Sequence, residues 1–302
     1  MRPILHYYDI SPDVVAFSTT RQGGCSTDNY ASFNINRYCG DNEEHIARNR
    51  EALCQLLNIS DDRLVMPHQT HETRVAHIDE QFMSLSAEEQ QAALEGFDAL
   101  MTNLEGICIG VSTADCTPIL LYDPQHRVVC AVHAGWRGTV KRIVEKTIAA
   151  MTETYGSRPA DLIAQIGPGI SLDSFEVGDE VYDAFAAAGF EMKIIGKRYP
   201  TDNSGSKFFT PFPSKARLPV AFHSSLFTTE GFFTLHSSLF TSKWHIDLPK
   251  CNRQQLMACG IPSDHICLSN ICTYKDCEQF FSARRLGIHS GRIFTGIMLK
   301  NL

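Results

Sequence analysis

Between Gly106 and Gly135 the chain carries three strand-length apolar runs, GICIGVST, PILLYD and VVCAVHAG, with only short polar breaks between them. Runs this short and this rich in Val, Ile and Leu suit strands buried on both faces better than helices. The break between the second and third runs is Asp123-Pro124, a favourable start for a type I turn. A four-residue loop at 123–126 pairs Tyr122 with Arg127. Continuing that register sets Cys116 opposite His133 on one sheet face, with Cβ atoms about 4.5–5.5 Å apart. A slip of one residue destroys the correspondence, and Pro118 limits how much of the strand can pair.

The remaining chain supplies helices and further paired strands. Residues 43–58 place Ile46, Ala47, Ala52, Leu53, Leu56 and Leu57 on one helical stripe, with acidic residues in the first turn. Helices are also expected over 84–95, opening at Ser84 or Ser86, over 138–155, over 176–189 and at CNRQQLMACG. VVAFSTT, LV before Pro67, a run from near Thr73, DLIAQIG and HICLSNICTY read as strands. Strands that come in pairs and also alternate with helices predict an α+β chain, with either one mixed sheet or packed sheets and helices outside, rather than a strict βαβ series. A single domain over 1–302 is expected, with an insertion near 190–242. That stretch is rich in Phe, Ser, Thr and Pro and repeats HSSLFT at 223–228 and 236–241. Two copies are too few for a solenoid, so a local duplication is expected.

Composition narrows the function. A formal net charge of −7 argues against a protein that coats nucleic acid or an anionic membrane. The first residues, MRPILHYYDISPDVVAF, lack the apolar core of a signal peptide, and no stretch is apolar for long enough to span a bilayer. Eleven cysteines, an odd number in a chain too large to need disulfide staples, read as reduced thiols in a cytoplasmic protein. A monomer or weak oligomer is expected.

Cys116 and His133 suit either a shared metal ion or a thiolate–imidazolium pair. One Cys with two His would hold Zn²⁺ and leave a fourth position open, the pattern of a catalytic zinc site. HQTHETRV offers both His68 and His71 as the third donor, and spacing does not choose between them. The competing reading is a Cys–His hydrolase dyad. Trp136 reads as packing, and Asp115 has no role on either reading.

Taken in order, HQTHETRV, TADCTPILL, VHAGWRG, IGPGI with FEVGDEV, and FFSARRLGIHSGR resemble the laccase-domain family, also called the polyphenol oxidase or multicopper polyphenol oxidoreductase family. FSTTRQGGCS and GDNEEHIARNREAL are similar to it as well, and the likeness covers most of the chain apart from roughly 190–242. The family's members are understood as purine nucleoside phosphorylases, and the resemblance implies mixed β-sheets packed as a sandwich-like core with flanking helices. The resemblance implies a zinc ion held by His71, Cys116 and His133, and so prefers His71 to His68. It implies phosphorolysis of adenosine, inosine, guanosine and methylthioadenosine, with deamination of adenosine. The chain lacks the H-x-E…P-C-x-x-C signature of the familiar nucleobase deaminases. Copper is the alternative metal implied by the older name, although a multicopper oxidase needs more clustered histidines. Phosphorolysis also needs donors for an anion. Arg21, beside Gly23-Gly24, is the first candidate, and Arg284 and Arg285 are the next.

Overall fold

The computed structural model describes residues 1–200 and 242–301. At its centre two sheets pack face to face, the sandwich that the family resemblance implies. One sheet has the strand order Leu5–Tyr8, Val14–Thr19, Ile293–Leu299, Cys108–Thr113, Leu64–Val65. The other runs Ile266–Leu268, Ile163–Ile166, Thr117–Asp123, Val128–Ala134, Ala99–Thr102, Val75–His77. Most neighbours are antiparallel. Three short strands, Leu64–Val65, Val75–His77 and Ile266–Leu268, pair in parallel and make both sheets mixed.

Between the sheets lie Ile109, Val111 and Ile297 from the first and Leu100, Leu120, Tyr122, Val129 and Ala131 from the second. Alternate residues of the same strands point outward. Ile119, Leu121 and Val132 pack under helix Ile143–Tyr155 and Leu256, while Phe17, Cys108 and Phe294 pack under Leu53 and Leu57 of helix Glu43–Leu57. Helix, sheet, sheet and helix therefore form four layers, and strands with both faces covered explain the unbroken apolar runs. A smaller sheet of Glu176–Val177, Ser242–Ile246 and Gly196–Pro200 has its own cluster around Phe185 and Ile246.

Capping side chains open two of the helices, and of the expected openings Ser84 and Ser86 it is Ser86 that caps. Asn42 caps helix Glu43–Leu57 by accepting from the N–H groups of Glu44 and His45. Ser86 and Glu89 form a capping box on helix Ala87–Ala93. The expected stripe of the first helix needs correction. Ala47 and Leu56 face solvent, and Asn49 and Arg50 are buried instead. Asn49 Nδ2 donates to the carbonyls of Ser32 and Asn34, and Arg50 pairs with Asp61 at 2.8 Å. Helix 138–155 is two helices, Trp136–Val140 and Ile143–Tyr155, because Arg142 between them takes a left-handed conformation at φ 63°. Residues 176–189 open with strand Glu176–Val177 before helix Asp179–Ala187. The HSSLFT copies, and most of the expected 190–242 insertion, lie outside the described residues.

The hairpin forms with a register two residues from the one expected. Asp123 pairs with Val128 and Pro118 with His133, because Arg127, at φ 50°, belongs to the turn rather than to the strand. Cys116 lies just before the ladder, which begins at Thr117. An offset of two preserves which face each side chain occupies, so Cys116 is a diagonal rather than a direct neighbour of His133.

Candidate metal centre

Cys116 sits where the chain leaves one sheet for the other. Strand Cys108–Thr113 belongs to the first sheet and strand Thr117–Asp123 to the second, and Ala114–Cys116 make the corner. His133 is the penultimate residue of strand Val128–Ala134, and the helix Trp136–Val140 starts from Gly135 directly after it. His71 comes from the loop before strand Val75–His77, at the same end of the sandwich.

The three residues converge. One ligand atom from each of His71, Cys116 and His133 lies within 4.8 Å of the others, the one such cluster among the described residues. Cys116 Sγ is 3.9 Å from His71 Nε2, and the two imidazoles meet edge to face at 4.9 Å. Tetrahedral zinc with ordinary Zn–S and Zn–N bonds sets sulfur and nitrogen about 3.5 Å apart, so the donors need move only by tenths of an ångström on that edge. Gly135 keeps the space open. A Cβ there would come 2.9 Å from Cys116 Sγ and 3.0 Å from His71 Cδ2. Donor chemistry, spacing and the glycine cradle all fit a metal ion.

Asp98, which sequence reasoning missed, organises two of the three ligands. It is fully buried immediately before strand Ala99–Thr102, whose pairing with Val128–Ala134 brings it beside His133. Its Oδ1 accepts from His133 Nδ1 at 2.7 Å and from the His71 N–H at 3.1 Å. Oδ2 accepts from the N–H groups of Glu72 at 2.8 Å and Thr70 at 3.2 Å. A carboxylate can only accept here, so His133 keeps a proton on Nδ1, and Nε2 is the atom that would give up its proton to bind a metal. The three backbone donors also hold His71 at φ 64°, a left-handed conformation that a histidine does not take without support. Gln69 fixes the same loop to the sheet corner, donating to the Ser112 carbonyl and accepting from the Ser112 N–H at 2.8 and 2.7 Å.

Electrostatics follow from these contacts. Burial alone would raise the Cys116 thiol, but the charge and hydrogen bond of His133, aided by His71, outweigh it and hold the thiol well below its ordinary value. Burial opposes the His133 imidazolium, and the Cys116 thiolate with the Asp98 hydrogen bond overcomes that and raises it. Asp98 is pushed up by burial and pulled further down by His133 and the N–H groups of Glu72 and Thr70, so it stays ionised. A low-lying thiol beside an oriented imidazole is what a metal ligand set requires, since only the thiolate binds.

Other sequence candidates lie elsewhere. His68 turns away, with Nδ1 against the Glu95 carboxylate at 2.7 Å and its ring stacked on Tyr38. Arg21 donates through Nε to the Ala31 carbonyl and through a terminal nitrogen to that of Cys277, and stands over the Phe281 ring. Gly24, beside it, abuts the Ser32 carbonyl and Phe33 Cα too closely for any side chain. Arg284 and Arg285 are exposed on helix Ala283–Leu286. The Arg284 guanidinium donates to the Glu176 carbonyl, and that of Arg285 lies over Tyr274. Trp136 packs with Val140 against the cluster around Phe185, with Arg137 over its ring.

The family model described as multi-copper polyphenol oxidoreductase laccase matches residues 15–218 and 211–300. The chain belongs to this family. A curated relative named purine nucleoside phosphorylase, from Bacteroides thetaiotaomicron, is 44% identical over 283 residues, covering 94% of this chain and 90% of its own. Another, named adenosine deaminase RL5 and from an unknown prokaryotic organism, is 42% identical over 287 residues, covering 95% and 94%. Among solved structures, YlmD from Geobacillus stearothermophilus superposes with a TM-score of 0.75 at 25% identity, covering 97% of this chain and 94% of its own. The family's fold is thus the α+β sandwich described above.

Proposed function

We propose that this family member is a zinc-dependent purine nucleoside phosphorylase acting on adenosine, inosine, guanosine and methylthioadenosine, with adenosine deaminase activity alongside. The observation that carries the reading is the convergence of His71, Cys116 and His133 on one point, with His133 held in the metal-binding tautomer by Asp98. The names of the two relatives supply the substrate class. Zinc bound by these three residues would supply a Lewis acid and an acidified water. Cys116 would contribute negative charge to that centre, and Gly135 lets the backbone pass close to Cys116 and His71 where a side chain would crowd them.

In phosphorolysis a phosphate oxygen forms the new bond to C1′ as the bond from C1′ to the purine nitrogen breaks. The electron pair leaves with the purine, which takes up a proton. Arg284 and Arg285 are the proposed phosphate donors, exposed and close in sequence to Ser282, which caps their helix. Arg21 retains a proposed role at the phosphate through the segment it holds rather than as a free donor, since Nε and one terminal nitrogen already serve carbonyls.

Copper is the alternative metal, compatible with the two-histidine, one-thiolate donor set. The depressed thiol next to His133 also favours a second chemistry, a Cys–His hydrolase dyad. Activity that survives chelation and traps a covalent product on Cys116 would establish the dyad in place of the metal. The partners proposed are small molecules, purine nucleosides and phosphate, with no nucleic acid and no membrane, for a monomer or weak oligomer. No helix among the described residues is long and apolar enough to cross a membrane. All eleven cysteines are free thiols, which supports the proposed cytoplasmic setting. The direct test is to incubate inosine and adenosine with the purified protein, with and without phosphate, and identify the bases released.

A further inference from the structure

Asp115 immediately precedes the ligand Cys116 and takes φ 86°, a left-handed conformation outside the ordinary reach of a residue with a side chain. The turn at this residue lets consecutive side chains serve different partners. Cys116 faces the two histidines, while the Asp115 carboxylate reaches the C-terminal segment. There Oδ1 accepts from Thr273 Oγ1 at 2.7 Å and Oδ2 accepts from the Arg284 N–H at 2.7 Å. The Asp115 carbonyl accepts from the Ile170 N–H at 2.8 Å, fixing the same corner to the loop after strand Ile163–Ile166. Between Thr273 and Arg284 the segment is tied down again by Arg21. Its N–H donates to the Gln279 carbonyl at 2.8 Å, and its guanidinium to the Cys277 carbonyl at 2.7 Å. A single carboxylate therefore joins the corner that carries a metal ligand to the turn that carries Arg284 and Arg285.

We infer that Asp115 is a positioning residue, whose carboxylate clamps the arginine-bearing turn to the metal corner and so sets where phosphate binds relative to the centre. The kinetic part of this inference rests on the phosphorylase reading above. The clamp itself does not. Asp115→Gly keeps the backbone freedom that φ 86° needs and removes both acceptor oxygens, so neither Thr273 Oγ1 nor the Arg284 N–H keeps its partner.

The test uses full-length protein with three readouts: bound zinc, native-state trypsin cleavage after Arg284 or Arg285, and the KM for phosphate with inosine as second substrate. In Asp115→Gly, zinc stoichiometry is expected to match wild type. Cleavage and the phosphate KM are each expected to rise about tenfold, the low end of what a hydrogen bond to a charged group contributes. The KM for inosine and kcat at saturating phosphate should move by no more than about threefold, the size of a weak neutral hydrogen bond. Thr273→Val, which leaves the metal corner untouched, should shift cleavage and phosphate KM in the same direction and settles the matter if Asp115→Gly does not fold. Unchanged cleavage in the variants refutes the clamp, as does loss of zinc in place of faster cleavage. Faster cleavage with unchanged phosphate KM, or a fall in kcat alone, refutes the positioning role and leaves a merely structural tie. If wild-type protein shows no phosphorolysis, the functional proposal fails, while zinc content and cleavage still decide the clamp.

Discussion

Replacing Asp98 by Asn alters one atom of a carboxylate that serves four donors, two on each oxygen. Either orientation of the new amide has a cost. With the N–H₂ group in place of Oδ2, it confronts the N–H groups of Thr70 and Glu72, which hold His71 in its left-handed turn. With it in place of Oδ1, it confronts the His71 N–H and the His133 Nδ1 proton. His133 must then move that proton to Nε2, the atom needed for the metal. Changes to a carboxylate that orients a ligating histidine typically lower metal affinity about 10–100-fold, or about 1.4–2.7 kcal/mol. Four donors on one buried side chain place the expected loss toward the upper end of that range. Competition with a chromophoric chelator measures it, and denaturant unfolding of the metal-free protein separates loss of affinity from loss of fold. Wild-type zinc affinity in a folded Asp98→Asn protein would refute the organising role assigned to Asp98.

Gly135→Ala tests the cradle. Gly135 has φ −69°, so alanine is allowed by the backbone and excluded only by Cys116 Sγ and His71 Cδ2. Metal affinity should fall on the order of tenfold or more with little change in the unfolding midpoint, and unchanged affinity measured by the same competition assay would show that the space is not needed. Asp123 governs an acid limb. Its side chain is fully buried, which raises its pKa, but the nearby Ser157 hydroxyl, His126 Nδ1 and the N–H groups of Gln125 and His126 overcome this and hold it below the ordinary carboxylate value. Its stabilisation is therefore complete above the unfolded value of about 4 and is lost as pH falls through the lower folded value. Asp123→Asn should flatten that part of a stability-versus-pH curve, and an unaltered acid limb in urea titrations contradicts the assignment.

Local chemistry made much of the fold readable. The helix over 43–57, the opening at Ser86 and the three strands between Gly106 and Gly135 all followed from short-range patterns. Long-range geometry did not. Asn49 and Arg50 replace Ala47 and Leu56 on the buried face because loop 32–34 and Asp61 offer them hydrogen-bond partners that no helical period encodes. The hairpin register moved by two because Arg127 joined the turn; the even shift lost the direct pairing of Cys116 with His133 but kept the two on one face as diagonal neighbours. His71 and His68 could not be told apart by spacing. What separates them is Asp98 under one and Glu95 with Tyr38 beside the other. Asp98 escaped notice because its role exists only once strand Ala99–Thr102 lies against Val128–Ala134.

The central claim is that His71, Cys116 and His133 form a metal centre that supports phosphorolysis of purine nucleosides. The most direct measurement follows inosine by chromatography with wild-type and Cys116→Ala protein, with and without phosphate, alongside metal analysis of both. The account predicts hypoxanthine and a ribose phosphate from the metal-loaded wild type only when phosphate is present, and neither from a metal-free Cys116→Ala protein. Hypoxanthine released at the same rate without phosphate, or by Cys116→Ala with no metal bound, would contradict it.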